Sequence, residues 1–378
     1  MNKIRISDVT MKQTGGEISL SFKEKIELSK LLDKLGVSVI ELEPIVQAKI
    51  DALRVKSIAS AVKDSIVAVP VALNTESVQA TWNALKEAKK PRLQVCAPVS
   101  SVQMEYLFHK KPEAMLDAIT KTVAACKAVC ADVEFIADDA TRADEEYLVS
   151  AIKAATEAGA TTVTVCDTAG TMLPAEFAAF IRKIQAQCPV SMGVACVDTL
   201  SMADACVIAA VAEGVVEVKA AAYPLNNPSL ANAAKLIAAK GDALKAECGV
   251  RVTCLSRVID QIAWMCQSGK AAAATAESDD SGIYLTAHDD MAAVAKVVEN
   301  MGYDLSEEDV TKVYEAFRQI ADKKEKVSAK ELDAIVASNA MQVPSTYKLD
   351  TYVITSGNTI SATAHIKLQK NGDTVEGV

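Results

Sequence analysis

The stretch from Val133 to Asp167 decides the fold. It opens with Val133-Glu134-Phe135-Ile136-Ala137-Asp138-Asp139-Ala140-Thr141-Arg142, an apolar run that ends in carboxylates. It continues through Glu145–Ala158, where apolar residues recur at i, i+3, i+4 and i+7. It closes with Thr161-Thr162-Val163-Thr164-Val165-Cys166-Asp167. This spacing predicts strand, helix, strand, because short apolar runs flanking a helical pattern read as a parallel βαβ unit. Working outward, the same pair recurs along the chain. Strands are expected over Ile4–Val9, Val37–Leu42, Ile66–Ala72, Leu93–Val99, Val133–Ala137, Thr161–Cys166, Val190–Val197 and Val215–Ala221. Amphipathic helices are expected over Phe22–Leu35, Thr75–Lys89, Pro112–Cys130, Glu145–Ala158, Pro174–Gln187 and Pro228–Lys240. Runs that are apolar throughout suit parallel strands buried on both faces. Eight such repeats over about 240 residues predict an α/β fold, a (β/α)8 TIM barrel. No glycine-rich phosphate turn follows an early strand, which disfavours a doubly wound open sheet.

The 378 residues leave room for an appendage beyond a barrel of residues 1–267. Residues 268–285 are expected to form a linker, with the alanine patch Ala271–Thr275 followed by Glu277-Ser278-Asp279-Asp280-Ser281-Gly282. A helical subdomain is expected over 286–342, with helices Asp290–Met301, Ser306–Lys323 and Ser328–Ser338; Ser306-Glu307-Glu308-Asp309 and Ser328-Ala329-Lys330-Glu331 look like capping boxes. Residues 343–378 form a β tail of two strands, Tyr347–Ile354 and Ile360–Lys370, joined by Ser356-Gly357-Asn358. Two strands alone are marginal. They need cover from the barrel, from a second copy in a homo-oligomer, or from a chain that continues past Val378.

Composition narrows the function. Half of the residues are hydrophobic, and the net charge is −9. An acidic, evenly mixed surface argues against nucleic acid and anionic membrane as partners. No apolar run is long enough to span a bilayer, and Met1–Ile6 lacks a signal-peptide layout. Ten cysteines without a CxxC pair read as reduced thiols of a cytoplasmic protein. Cys126 and Cys130 share a helix face and read as core residues; Trp82 and Trp264 read as packing residues.

In such barrels chemistry sits at the C-terminal strand ends. There the sequence places Asp8, Thr10, Lys12, Gln13 and Glu17, then Glu41 and Glu43, then Ser100 and Ser101. Strand five supplies Asp138, Asp139, Thr141 and Arg142, strand six Asp167 and Thr168, strand seven Asp198 and Thr199, and strand eight Lys219, Asn226 and Asn227. This rim suits a small, oxygen-rich anionic ligand. Asp138, Asp139 and Arg142 have a second reading, in which they cap the next helix and pair with each other. Lys219 has two as well: a Schiff-base lysine with a lowered pKa, or one half of an ion pair with a rim carboxylate.

The ordered motifs resemble the 2-isopropylmalate synthase and homocitrate synthase family of metal-dependent barrels. The resemblance rests on the strand-five motif quoted above and on Glu157-Ala158-Gly159-Ala160-Thr161-Thr162-Val163 running to Cys166-Asp167-Thr168-Ala169-Gly170. Ser21-Phe22-Lys23-Glu24-Lys25 and Leu35–Leu42 add to it. Gly302–Asp309 looks like the family's communication subdomain, and Gln342-Val343-Pro344 with Tyr347-Lys348-Leu349 and Thr355-Ser356-Gly357 like the start of its regulatory domain. The resemblance implies a Claisen-type condensation of an acyl-CoA with a 2-oxo acid. A divalent metal (Mg, Mn or Zn) polarises the keto acid as a Lewis acid. The family takes its ligands from an Arg-Asp-Gly motif, a His-x-His and an asparagine. Here Lys12 matches the arginine, Gln13 the aspartate, Ala195 and Val197 the histidines, and Asn227 the asparagine. Asp138 matches a substrate-contacting glutamate and Thr168 a carboxylate-binding threonine, with Arg142 and Lys219 added as substrate-binding candidates. The family's catalytic histidine has no counterpart in Ser268–Ser281, and His288 matches a separate position.

An amide is a poor substitute for a carboxylate ligand, and two aliphatic side chains offer no donor at all. The expectation is therefore no tightly held metal, with Gln13 and Asn227 the remaining weak ligands. Three functions follow: a non-catalytic or regulatory partner of a catalytic paralogue, still able to take a carboxylate or acyl-CoA; an active acyltransferase with a rebuilt site; or a metal-independent lyase or aldolase built on Lys219.

Overall fold

Each of the eight expected strands forms. In the computed structural model they are β1 (Asn2–Asp8), β2 (Val39–Glu41), β3 (Ile66–Val71), β4 (Pro91–Pro98), β5 (Val133–Asp138), β6 (Thr162–Asp167), β7 (Met192–Cys196) and β8 (Glu217–Ala220). All pair in parallel, in the order 2-3-4-5-6-7-8-1, and β1 pairs with β2 to close the ring. The structure describes residues 1–13, 18, 20–46, 48–277, 284–286, 289–300, 303, 305–321, 327–328, 332, 335–336, 348–357, 360–370 and 373–377.

Helices α1 (Phe22–Leu35), α2 (Ala48–Ala61), α3 (Glu76–Leu85), α4 (Ser101–Tyr106), α5 (Pro112–Val129), α6 (Glu145–Glu157), α7 (Pro174–Gln187), α8 (Ala203–Ala212) and α9 (Leu230–Leu244) connect and follow the strands. Local chemistry sets their ends. Ser21 and Glu24 form a reciprocal capping box at the start of α1, and Gly36 ends it in the left-handed region. Pro112 and Pro174 sit in the first turn of α5 and α7, where a missing N–H costs nothing.

Strand residues alternate in chemistry as well as in direction. Ile4, Ile6, Val133, Phe135, Val163, Val165 and Val218 join the apolar layer shared with the helices. The residues between them, Arg5, Ser7, Glu134, Thr164, Glu217 and Lys219, bond to one another or to Glu41 inside the ring. The strands are thus buried on both faces, but only the outer face is apolar. A ninth strand, β9 (Ala246–Cys248), lies parallel to the first half of β1 and was not expected.

The chain divides into two units, Met1–Ala274 and Thr275–Val378. The linker expected from residue 268 is helical as far as Glu277, because α10 (Val252–Glu277) runs through the alanine patch. Alanine has the highest helix propensity, and a small-residue stretch was misread as a loop. The rest of that linker, 278–283, lies outside the described residues.

In the second unit β10 (Tyr284–Leu285) pairs antiparallel with β11 (Val327–Ser328). They share a small core with α11 (Met291–Asn300) and α12 (Glu307–Ala321), centred on Val294, Val313 and Phe317. Ser328, expected to start a helix, is a strand residue; residues 332, 335 and 336 are helical. The tail forms three antiparallel strands rather than two: β12 (Lys348–Gly357), β13 (Ile360–Lys370) and β14 (Asp373–Gly377). The third, Asp-Thr-Val-Glu-Gly, carries too little apolar pattern to be seen in sequence. His288 lies outside the described residues.

Gly36 has φ of +89°, and a Cβ there would stand 2.4 Å from the Gly249 carbonyl oxygen. Gly214 has φ of +88° with nothing within 4 Å of its Cβ position. Gly214→Ala is expected to cost about 1 kcal/mol from backbone strain alone. Gly36→Ala adds the backbone clash and should cost at least about 2 kcal/mol. Urea unfolding midpoints of the two variants read the difference; equal losses would show that the clash is relieved.

Candidate active-site cavity

The C-terminal strand ends open into a cavity of about 340 Å³. It is lined by Lys12, Gln13, Asp138, Thr168, Lys219 and Asn227, together with Glu41, Cys166, Ala195 and Val197. Six of the seven sequence-predicted site residues therefore meet in one place. The exception is Arg142, whose guanidinium forks onto Asp139 at 2.7 and 2.8 Å and does not line the cavity.

The floor is ionic. Glu41, Glu134 and Glu217 are fully buried, and their carboxylates lie within 4.8 Å of one another. The Lys219 ammonium bonds to Glu41 and, at 2.8 Å, to Glu134. Lys12 reaches the other Glu41 oxygen at 2.9 Å and the Gln94 carbonyl at 3.1 Å. Arg92 on β4 crosses the lumen to Glu217 on β8, four strands away, at 2.8 and 2.9 Å. Arg5 donates to Glu217 at 2.7 Å. Burial alone would push the Glu41 carboxyl up, but Lys12 and Lys219 overcome it and hold it well below the usual carboxylate range. Burial would likewise lower Lys219, yet Glu134 and Glu41 hold it above the ordinary lysine value. Of the two readings of Lys219, the structure shows the ion pair with rim carboxylates, whereas a Schiff-base lysine needs a neutral amine. Glu217, with burial the larger influence, is shifted up despite Arg92.

One wall is the segment after β8. The Gln13 amide nitrogen donates to the Tyr223 carbonyl at 2.9 Å, and its oxygen accepts from Leu225 N at 3.1 Å and from Asn227 Nδ2 at 2.9 Å. Asp8 anchors the same segment. Its carboxylate accepts from Ala222 N at 2.8 Å and from the Thr10 hydroxyl and amide at 2.9 and 3.1 Å. The opposite wall centres on Thr168, which donates to Asp138 at 2.5 Å and accepts from Asp139 N at 2.9 Å. Asp139 has φ of +58°, a conformation aspartate tolerates, and is held by Ser100 at 2.5 Å and by Arg142. Both readings of the Asp138–Arg142 motif are thus partly realised: Asp139 and Arg142 pair, whereas Asp138 faces the cavity. Asp8 and Glu41, expected on the rim, belong to the site, and so do Gln94 and Glu134, to which sequence reading gave no role. The signal for Gln94 and Glu134 was a polar residue in step with the inward positions of an otherwise apolar strand.

The ligand positions implied by the family resemblance can be tested against this geometry. Ala195 and Val197 bring no donor atom, and the Gln13 oxygen already accepts two N–H groups. Among the described residues, the one trio of carboxylate, thiol or imidazole groups close enough to share an ion is Glu41, Glu134 and Glu217. Each of those carboxylates is already engaged by Lys, Arg, Ser, Thr or Gln donors. The glutamate trio is thus the candidate cation cluster among the described residues, with its oxygens facing protein donors.

Barrel and polar mouth together define a class, and comparison with known proteins agrees: the HMGL-like family matches residues 3–223. The chain belongs to this family, within its 2-isopropylmalate synthase branch, whose metal-dependent members condense an acyl-CoA with a 2-oxo acid. It is 30% identical to the 2-isopropylmalate synthase of Carboxydothermus hydrogenoformans, over 100% of this chain and 82% of that one. It is 28% identical to that of Pyrococcus furiosus, over 97% and 82%. Among solved structures it is similar in fold to the HMG-CoA lyase of Bacillus subtilis, with a TM-score of 0.60, 16% identity, and coverage of 71% of this chain and 94% of that one. The Pseudomonas aeruginosa lyase gives 0.60, 16%, 72% and 98%. At such identity the lyases speak for the fold alone.

Asp8 makes the wall pH-sensitive. Burial raises its pKa from 3.8 to about 6, against the hydrogen bonds from Ala222 and Thr10, with Glu41 adding to the rise. An acid raised on folding binds its proton more tightly in the folded state. Its ionised form therefore costs stability above pH 6, and that cost fades as pH falls from about 6 towards 3.8. The stability gap between wild type and Asp8→Asn should shift by roughly 2.5 kcal/mol in favour of wild type between pH 8 and pH 4. Urea unfolding across that range measures it; a gap independent of pH would refute the assignment.

Proposed function

We propose that this chain is a 2-isopropylmalate synthase-like barrel that has given up metal-dependent condensation and acts as a non-catalytic or regulatory partner of a catalytic paralogue. One observation carries the reading: Gln13, Ala195 and Val197 stand where the relatives' ligands are expected, and the Gln13 amide is spent on the Tyr223–Asn227 segment. Lys12 keeps the positive charge of the arginine it replaces but loses the bidentate fork. The cavity is within the size range of small-molecule sites, and Lys12, Asp138, Thr168 and Asn227 line it with polar groups. A small carboxylate or an acyl-CoA is the ligand class that this lining and the family favour. The partner is a second copy of the chain or an intact synthase. No helix of the described residues is long and apolar enough to cross a membrane. All ten cysteines are free thiols, which favours the cytoplasm. The second reading, an active acyltransferase with a rebuilt site, draws on the similarity over the full length of the chain.

The decisive assay is CoA release from acetyl-CoA with a panel of 2-oxo acids, with Mg²⁺ or Mn²⁺ and with chelator. The expected result is no turnover under any condition. Metal-dependent release would overturn the proposal and establish the active reading. Mixing the chain with an intact synthase from the same organism should give a mixed oligomer by light scattering and change the synthase's kcat or KM. Separate elution with unchanged kinetics would remove the partner role.

A further inference from the structure

Three buried glutamates converge from β2, β5 and β8, and the group that sits among them is a side chain. All six of their oxygens accept from protein donors. Glu41 accepts from Ser7 at 2.7 Å, from Lys219 and from Lys12. Glu134 accepts from Thr164 at 2.6 Å, Lys219 at 2.8 Å and Gln94 at 2.7 Å. Glu217 accepts from Arg92 and Arg5. Lys219 is 7% exposed and lines the same cavity as Gln13, Ala195, Val197 and Asn227.

We infer that Lys219 is the resident cation of this cavity, a tethered ammonium that supplies the positive charge a divalent ion would bring and keeps such an ion away from the three glutamates. The inference rests on the metal-free reading above and deepens it. Charge supports it first. With Asp132, which also pairs with Arg92, four carboxylates face Lys12, Lys219, Arg92 and Arg5, so the balance is neutral with Lys219 and net negative without it. Coordination supports it second. A hard divalent cation takes six or more oxygen ligands, whereas Ser7, Thr164 and Gln94 spend O–H and N–H donors on the carboxylate oxygens that would have to ligate it. The tether supports it third. An ammonium on the β8 backbone cannot dissociate, so chelators and low ion concentrations leave the floor intact. Lys219 bridges Glu41 and Glu134, and removing it leaves a gap between them lined by oxygen.

The test is a Mn²⁺ titration of wild type, Lys219→Ala and Lys219→Arg, followed by electron paramagnetic resonance and by thermal unfolding. Wild type and Lys219→Arg should bind no stoichiometric Mn²⁺. Lys219→Ala should bind one ion per chain, and at a 100-fold excess over its Kd its midpoint should rise by about 5–10 °C. Ethylammonium should also stabilise Lys219→Ala, and ethanol of matching size should not, a charge selectivity that a packing role would not produce. Should Lys219→Ala fail to fold, Lys219→Gln keeps the hydrogen-bonding reach without the charge, and the same titration is read on it. A folded, neutral variant that ignores both Mn²⁺ and ethylammonium overturns the inference and leaves the metal-free reading standing. Stoichiometric Mn²⁺ on wild type overturns both.

Discussion

The lumen of this barrel is held by one ionic interaction, the Lys219 ammonium set between Glu41 and Glu134. Every second residue of a barrel strand points inward, and here those positions are charged on β1, β2, β4, β5 and β8. Taking a single ion out of water costs several kcal/mol, so none of these groups is stable inside the ring without its opposite. Lys219 joins β8 to β2 and β5, Lys12 ties the loop after β1 to Glu41, and Arg92 carries the balance across the lumen to Glu217. Breaking one link leaves an uncompensated buried charge, so the polar floor confers specificity: it demands one arrangement of the strands rather than many.

The mouth above this floor follows from it. Lys12 is fixed by Glu41 and Gln94, which sets the path of the chain into Gln13. Gln13 then fastens the Tyr223–Asn227 segment through three hydrogen bonds. Asp8 and Thr10 fasten the same segment one turn earlier. Gln13, Asn227, Asp8 and Thr10 thus make this side of the mouth a hydrogen-bonded wall. On the proposed metal-free reading the two features support one another: a barrel that carries its own cation has no need of carboxylate and imidazole ligands, and a barrel without those ligands needs another positive charge.

Fold and site differ in how local their causes are. A strand such as Val163–Val165 declares itself by composition, and α1 by its Ser21–Glu24 box and Gly36 stop. The barrel was therefore legible from one strand–helix–strand stretch and its repetition. Alanine-rich α10 and the short strand Asp373–Gly377 were not, because propensity and patterning are weak where residues are small or polar.

The sequence by itself determined the eightfold alternation, the family, the rim residues and the absence of imidazoles from strand seven. These are statements about residue identity and period, which need no partner. Only the tertiary structure decided that Lys219 is an ion-paired cation, that Arg142 serves Asp139, and that Gln13 and Asn227 bond to each other. Lys219 and Glu41 are 178 residues apart. Their pairing exists because closing the ring sets β1 between β8 and β2, and no periodicity along the chain encodes which inward charge meets which.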